Sequence, residues 1–185
     1  LKMGWDVAGR VPVAIRPAGV RASIDIARSR VGSSLWPIAV TSGATIEAAY
    51  SRLAAAGPDS SDVRSLTTER SEQFLRWRYG PEFLGYRVIE DGTAAAVVRM
   101  RERGSGRELV VLDTFGSRQA TDVLVASVAR SERATYALRT GPGNIRSGFL
   151  AVPGAGPIVT WRSVGLHARP PCANWALAMG DVELF

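Results

Sequence analysis

The sequence predicts an α+β fold, with a mixed, mostly antiparallel central sheet flanked by helices. Three observations carry this. Residues 86–115 give strand, turn, strand, turn, strand in close order; residues 118–133 then place apolar residues at helical spacing; and residues 134–139 alternate again like a short strand. Strands joined by tight turns, followed by a strand reached through a helix, are the order of a mixed sheet with helices against it.

Taken from the start, Trp5 to Arg16 alternates loosely through Val7, Val11, Val13 and Ile15 and closes at Pro17, which reads as one or two strands. Val20 to Val31 spaces Ile24, Ile26, Ala27 and Val31 for one helical face. Gly32 to Pro37 reads as a break. Thr45 to Ala56 is a helix with Ile46, Ala49, Tyr50 and Leu53 on one side and Gly57-Pro58 as its stop. The serine-rich stretch Asp59 to Leu66 reads as a linker or as a loop inside one domain. Thr68 opens the next helix, with Glu69 and Glu72 in its first turns and Phe74, Leu75, Trp77 and Tyr79 to bury, up to Gly80-Pro81.

The central stretch follows. Tyr86 to Glu90 is a strand, Asp91-Gly92 the tight turn, Thr93 to Arg103 the return strand, and Gly104-Ser105-Gly106 a second turn. Arg107 to Phe115 contains Leu109-Val110-Val111-Leu112, a continuous apolar run expected of a strand buried on both faces. Gly116 breaks it. Asp122 near the start and Arg130 and Arg133 near the end of the following helix suit its dipole. Gly141-Pro142-Gly143-Asn144 is a loop; Phe149 to Val152 and Ile158 to Val164 read as the arms of a bent hairpin; and Asn174 to Met179 reads as a final strand capped by Gly180-Asp181.

Composition bounds the function. A chain of 185 residues, 46% hydrophobic and 22% charged, without an apolar run near membrane-spanning length, is that of a globular protein. Leu1-Lys2-Met3-Gly4-Trp5 lacks the plan of a signal peptide, and the chain reads as clipped from something longer. The single Cys172 excludes an internal disulfide and fits a cytoplasmic protein. The net charge of +6 rests almost wholly on arginine, Lys2 being the one lysine, and is scattered along the chain, which argues against a nucleic-acid surface. His167 stands in a Pro-rich loop without a nucleophile or metal-ligand partner at useful spacing, and Cys172 has no local base, so neither is a nucleophilic centre. Phe74, Trp77 and Tyr79 read as core.

A faint repeat links the two ends. Met3-Gly4-Trp5 precedes a broken strand and Val13-Ala14-Ile15-Arg16; Ser147-Gly148-Phe149 precedes another and Val159-Thr160-Trp161-Arg162, with 12 steps from glycine to arginine in the first copy and 14 in the second.

With this repeat and the order of elements, the sequence resembles the GNAT superfamily of N-acetyltransferases, specifically bacterial proteins that carry two such folds in tandem. Tyr86 to Phe115 resembles the family's antiparallel meander, Arg118 to Arg133 its helix, Thr135 to Arg139 its fifth strand, and Asn144 to Phe149 the short helix and turn that follow. The resemblance implies residues 1–17 as the tail of an upstream GNAT-like fold, 18–66 as a helical connecting segment, and 67–185 as a GNAT-like fold. It also implies transfer of an acetyl group from acetyl-CoA to an amine acceptor, a small molecule or peptide. In the family the cofactor arm enters where the fourth and fifth strands part, and its diphosphate lies on a Gly-rich helix start. The matching positions are Gly116, Ser117 and Arg118, with Asn144 beyond the fifth strand. The family motif Q/R-x-x-G-x-G/A stands here as Phe115-Gly116-Ser117-Arg118-Gln119-Ala120-Thr121-Asp122, with one glycine, so a non-catalytic scaffold or interaction domain that supports an upstream copy is the alternative. For the chemistry, Asp113 is the candidate base and Tyr136 the candidate acid. The ordinary reading of each is a turn cap or arginine partner for Asp113 and strand packing for Tyr136.

Overall fold

The structure, a computed structural model, describes residues 4–28, 31–57, 66–163, 168 and 170–182. Its elements are β1 (Asp6–Arg10), β2 (Val13–Pro17), α1 (Val20–Arg28), β3 (Ser33–Ile38), β4 (Ala44–Thr45), α2 (Tyr50–Ala56), α3 (Glu72–Tyr79), β5 (Arg87–Glu90), β6 (Ala94–Arg103), β7 (Gly106–Gly116), α4 (Arg118–Ser131), β8 (Tyr136–Thr140), β9 (Leu150–Ala151), β10 (Ile158–Trp161) and α5 (Met179–Val182). The fold is α+β. The main sheet runs β4-β5-β6-β7-β8-β2-β9, with β3 also against β6; β1 and β10 form a separate ribbon. Only the β7–β8 pair is parallel within the main sheet, because α4 carries the chain back between them.

The β5–β6–β7 meander is the backbone of the molecule. Gly92 takes φ +87° in the first turn, and Asp91 Oδ1 accepts the amides of Thr93 and Ala94, so the turn is held by side chain as well as backbone. The run Leu109–Leu112 is buried on both faces. Leu109 and Val111 pack with Met100, Leu124, Val125 and Val128 on the α4 side. Val110 and Leu112 pack with Leu53, Leu75, Tyr79 and Met179, on the side of α2, α3 and α5. Alternation across a pleated strand produces this division, and helices on both faces bury it.

Several expectations are corrected. Residues 33–37, read as a break, belong to strand β3, which pairs with β6 at Ser33, Pro37 and Ile38; Pro37 and the exposed Leu35 and Trp36 hide its strand character in the sequence. The helix expected from Thr68 starts at Glu72 instead, because the Ser71 side chain accepts the Phe74 amide and caps it there. The helix over 45–56 is split, a 3-10 turn over Ile46–Ala48 and then α2. The strand expected over 174–179 is a single parallel bridge from Trp175 to Leu66, and α5 starts at Met179, where Asp181 accepts the Ala178 amide. The bent hairpin does not form: β9 pairs with β2 and β10 with β1. The linker reading of Asp59 to Leu66 lies, but for Leu66, outside the described residues. Trp77 is 73% exposed, whereas Tyr79 is core as expected. No helix is long and apolar enough to cross a membrane among the described residues.

β3, β6, β7 and β8 meet at one buried carboxylate. Glu108 is fully buried and accepts hydrogen bonds from Ser33, Arg101 and Tyr136. Burial pushes its pKa up, but the Arg101 charge and the Tyr136 hydroxyl outweigh this and hold it below the ordinary 4.5. A depressed carboxylate stabilises the fold above its ordinary pKa and ceases to do so as pH falls through its folded value. Glu108→Gln is therefore expected to lower stability at neutral pH by about 3 kcal/mol and to flatten the fall of the urea midpoint below pH 4.5. Parallel urea titrations of both proteins across the acid range measure it; equal slopes refute the assignment.

Candidate functional site

The sheet parts between β7 and β8. The two strands pair only from Glu108–Tyr136 to Val110–Leu138, although β7 continues to Gly116 and β8 to Thr140. At the same point β7 bulges. Its pairing with β6 skips Leu112, since Val98 faces Val111 and Val97 faces Asp113. A bulge raises local twist and re-aims the strand, and here it carries β7 away from β8.

A cavity of about 680 Å³ lies in the opening. Val111 to Thr114 line it from β7 and Arg139 to Pro142 from the end of β8. On the α4 side Arg118, Thr121 and Asp122 line it, and on the α3 and α5 side Thr67, Thr68, Arg70 and the segment 175–178 do. The cavity therefore joins the two faces of the sheet through the gap. Gly9 to Pro12 close a further wall, and Cys172 packs so near Gly9 that a Cβ there would come within 2.7 Å of its Sγ.

The α4 end is cationic. Arg118 is the first residue of a fourteen-residue helix, is exposed, and has no carboxylate partner among the described residues. Its guanidinium lies over Gly141, whose φ of +98° and lack of a Cβ allow the approach. Arg139 stands beside it, bound to Asp122 at 3.1 Å and stacked 4.3 Å over the Phe149 ring. Burial and the neighbouring Arg118 charge lower the Arg139 pKa, with Asp122 opposing them. Asp122 is 2% exposed and also accepts the Ser147 hydroxyl at 2.7 Å. Its charge is thus spent on Arg139 and Ser147. The Ser117 side chain accepts the Ala120 amide as the helix cap.

The opposite end is built on Arg70. Its guanidinium donates to Asp113 Oδ1 from Nε at 3.0 Å and from Nη2 at 2.8 Å, to Asp181 at 2.8 Å, and to the Thr68 carbonyl at 3.0 Å. All three charged side chains are nearly fully buried. Tyr79 donates to Asp113 Oδ2. Burial drives the Asp113 pKa up and prevails over the pull of Arg70 and the hydroxyl of Tyr79. The ion triad ties β7 to the segment before α3 and to α5, which together roof this end of the cavity; the Leu66 amide bonds Asn174 O and the Ala176 amide bonds Leu66 O across the same roof.

The sequence candidates separate accordingly. Asp113 and Arg118 reach the cavity, at different ends. Gly116 takes φ +91° at the end of β7, where a Cβ would meet the Thr93 carbonyl at 2.8 Å, so its glycine serves the turn. Ser117 is the α4 cap. Asn144 does not line the cavity; it caps the 3-10 turn Ile145–Ser147 by accepting the Arg146 amide. Tyr136 is buried on Glu108, at the closed end of the β7–β8 pair, and is not brought to Asp113. His167 lies outside the described residues. Arg70, Tyr79, Asp181 and Arg139 carry no sign of the site in the sequence, where each reads as an ordinary cation, core aromatic, strand end or cap. Among the described residues no cluster of three or more His, Cys, Asp or Glu could hold a metal ion.

Gly180 marks how closely the roof fits. A Cβ at this position would collide with the Tyr79 hydroxyl and stand 3.0 Å from Asp113 Oδ2. Gly180→Ala is expected to cost about 1–3 kcal/mol by overpacking and to loosen α5 from β7, read as a lower thermal midpoint and faster amide exchange at residues 178–182. A midpoint within error of the parent refutes the contact.

Comparison of the chain with protein-family models, with curated proteins and with solved structures finds no match.

Proposed function

We propose that this chain binds acetyl-CoA, or a close acyl-CoA, in the gap between β7 and β8 and transfers the acyl group to an amine. The observation that carries the reading is the parted parallel pair with a cavity crossing the sheet, cationic at the α4 start and carboxylate-bearing at the other end. The GNAT resemblance implies such a gap, and the parting of β7 from β8 supports it. The backbone edge of β7 beyond Val110 offers hydrogen-bonding groups to the amides of an extended pantetheine arm. Arg118, with the amides of the first turn of α4 that Ser117 does not occupy, suits a diphosphate, since a helix start and a guanidinium both favour an anion.

The thioester supplies an activated carbonyl. The chain then has to take the amine's proton as nitrogen bonds to carbon and the carbon–sulfur bond breaks. Asp113 suits this role: it lines the cavity, its Oδ1 is saturated by Arg70, and Oδ2 accepts one hydrogen bond from Tyr79 and keeps a second lone pair. Its raised pKa makes it a better base than a solvated aspartate. Tyr136, engaged with Glu108, has no part in this arrangement. CoA leaves as the thiolate, at the end of the arm away from Arg118, and takes its proton from solvent in the cavity.

A second reading has its own observation. Ser117 takes the Ala120 amide, and Gly116 is the one glycine ahead of the helix, so the nest of amides for a diphosphate is reduced. On this reading the fold is a scaffold that shapes a neighbouring site. Calorimetric titration with acetyl-CoA and with CoA separates the two. Saturable micromolar binding, weakened about tenfold by Arg118→Ala as expected for loss of one charge-assisted contact, favours the first. Absence of binding at millimolar ligand by folded protein refutes it and leaves the scaffold.

A further inference from the structure

β1 and β2 follow Gly4-Trp5 as β9 and β10 follow Gly148-Phe149, and the pairing is exchanged between the copies: β2 pairs with β9, β10 with β1, both antiparallel. The registers correspond residue for residue. Val7, three residues past Gly4, faces Thr160; Ala151, three past Gly148, faces Ala14. Asp6, two past Gly4, faces Trp161; Leu150, two past Gly148, faces Ile15. Ala14-Ile15 and Thr160-Trp161 are themselves the matching residues of Val13-Ala14-Ile15-Arg16 and Val159-Thr160-Trp161-Arg162. A two-fold relation therefore interchanges the copies.

That relation is filled on one side only. β2 has β9 on one edge and β8 on the other, antiparallel over five residues. β10 has β1 on one edge and, among the described residues, no strand on the other. Burial follows the same asymmetry. Ala14 is fully buried while its counterpart Thr160 is exposed; Phe149 is fully buried under Arg139 while its counterpart Trp5 is 40% exposed. Nor, among the described residues, does the strand itself guard its open edge. Ile158-Val159-Thr160-Trp161 holds no charge and no proline, the usual protections of an exposed strand edge, and a two-stranded ribbon is marginal by itself.

We propose that the outer edge of β10 is a strand-acceptor site whose occupant is a strand of the β8 type from a second unit of this fold. It lies antiparallel to β10 over Val159 to Arg162, as β8 lies against Val13 to Arg16, and that unit covers Trp5 as β8 and its Arg139 cover Phe149. Main-chain hydrogen bonds supply affinity, and the alternating side chains set the register. The proposal rests on the repeat and its pairing, not on acyl transfer.

The chain carries the means to test it. Placing a second copy of residues 135–147 directly before Gly4, in place of residues 1–3, sets a β8 sequence at the same distance from Gly4 as β8 has from Gly148. Hydrogen exchange by mass spectrometry is compared between the grafted and parent chains, with light scattering for oligomeric state. The expected result is a monomer in which the amides of residues 158–162 exchange at least about tenfold more slowly, the graft itself is protected, and Leu138→Pro in the grafted copy alone abolishes both effects. Native β8 amides report in each protein that the main sheet is intact. Unchanged exchange over 158–162 beside an intact main sheet overturns the proposal. So does a parent chain that is already a dimer with those amides protected and is made monomeric by Thr160→Lys, since the occupant is then a second copy's β10.

Discussion

β7 is paired with β6 from Gly106 to Gly116, Leu112 excepted, but along only three residues with β8, and most of the molecule's chemistry follows from that inequality. A parallel pair that stops in mid-sheet leaves backbone donors and acceptors facing one another across a gap, and such groups need a partner or solvent. Closing the gap with apolar side chains would strand them. The chain instead surrounds them with arginines, aspartates and threonines, and the space stays open. The bulge at Leu112 fixes where the parting begins, since one skipped residue turns β7 out of line with β8 while β6 still holds it from the other side.

Charge is divided across this opening by the architecture itself. On the α4 side two guanidiniums stand near a single carboxylate, which is bound by Arg139 alone of the two, and the helix start adds to the positive field. On the other side one guanidinium holds two carboxylates, in a wall too buried for water to compensate. Arg78, buried nearby with its Nε on the Gly180 carbonyl, adds a second cation behind that wall without lining the cavity. Burying such a triad costs desolvation, which is offset only while every member keeps its partners. The need for those partners explains why the segment before α3 and the α5 segment, which bear no sequence sign of belonging together, lie side by side.

The central meander, α4 and β8 were legible because local signals agree there: Asp91-Gly92 demands a turn, Leu109–Leu112 demands two covered faces, and the spacing behind Gly116 demands a helix. β3 was not legible, since Pro37 and solvent-facing Leu35 and Trp36 obey an edge position and no pattern. The stretch 174–179 misled because alternation there serves a single bridge to Leu66 and then a helix turn held by Asp181, and Asp181 is itself held by Arg70. Asp113 could be picked out as an acid at a strand end. Its partners could not, for Arg70 and Asp181 lie 43 and 68 residues away and meet it only through the fold. The exchange of β2 and β10 was hidden for the same reason: the repeat is visible in sequence, but nothing local says that each arm pairs with the other copy's strand.

That exchange also bears on the cavity. β2 covers the edge of β8 that β7 leaves on the other side, so β8 is held in place by a segment from the far end of the chain. The turn before it enters the site directly: Pro12 O accepts the Gly141 amide, and Gly9 to Pro12 form a wall. Gly141 in turn is where Arg118 rests. The position of Arg118, which has no carboxylate partner among the described residues, thus depends on residues more than a hundred positions earlier, through β8. Whatever holds the β1–β10 ribbon therefore acts on the cavity as well, since β1 and β2 are joined by two residues and Gly9 and Arg10 belong to both the ribbon and the wall. A partner on the open edge of β10 would stiffen the ribbon, and through it the wall, without touching anything bound in the gap.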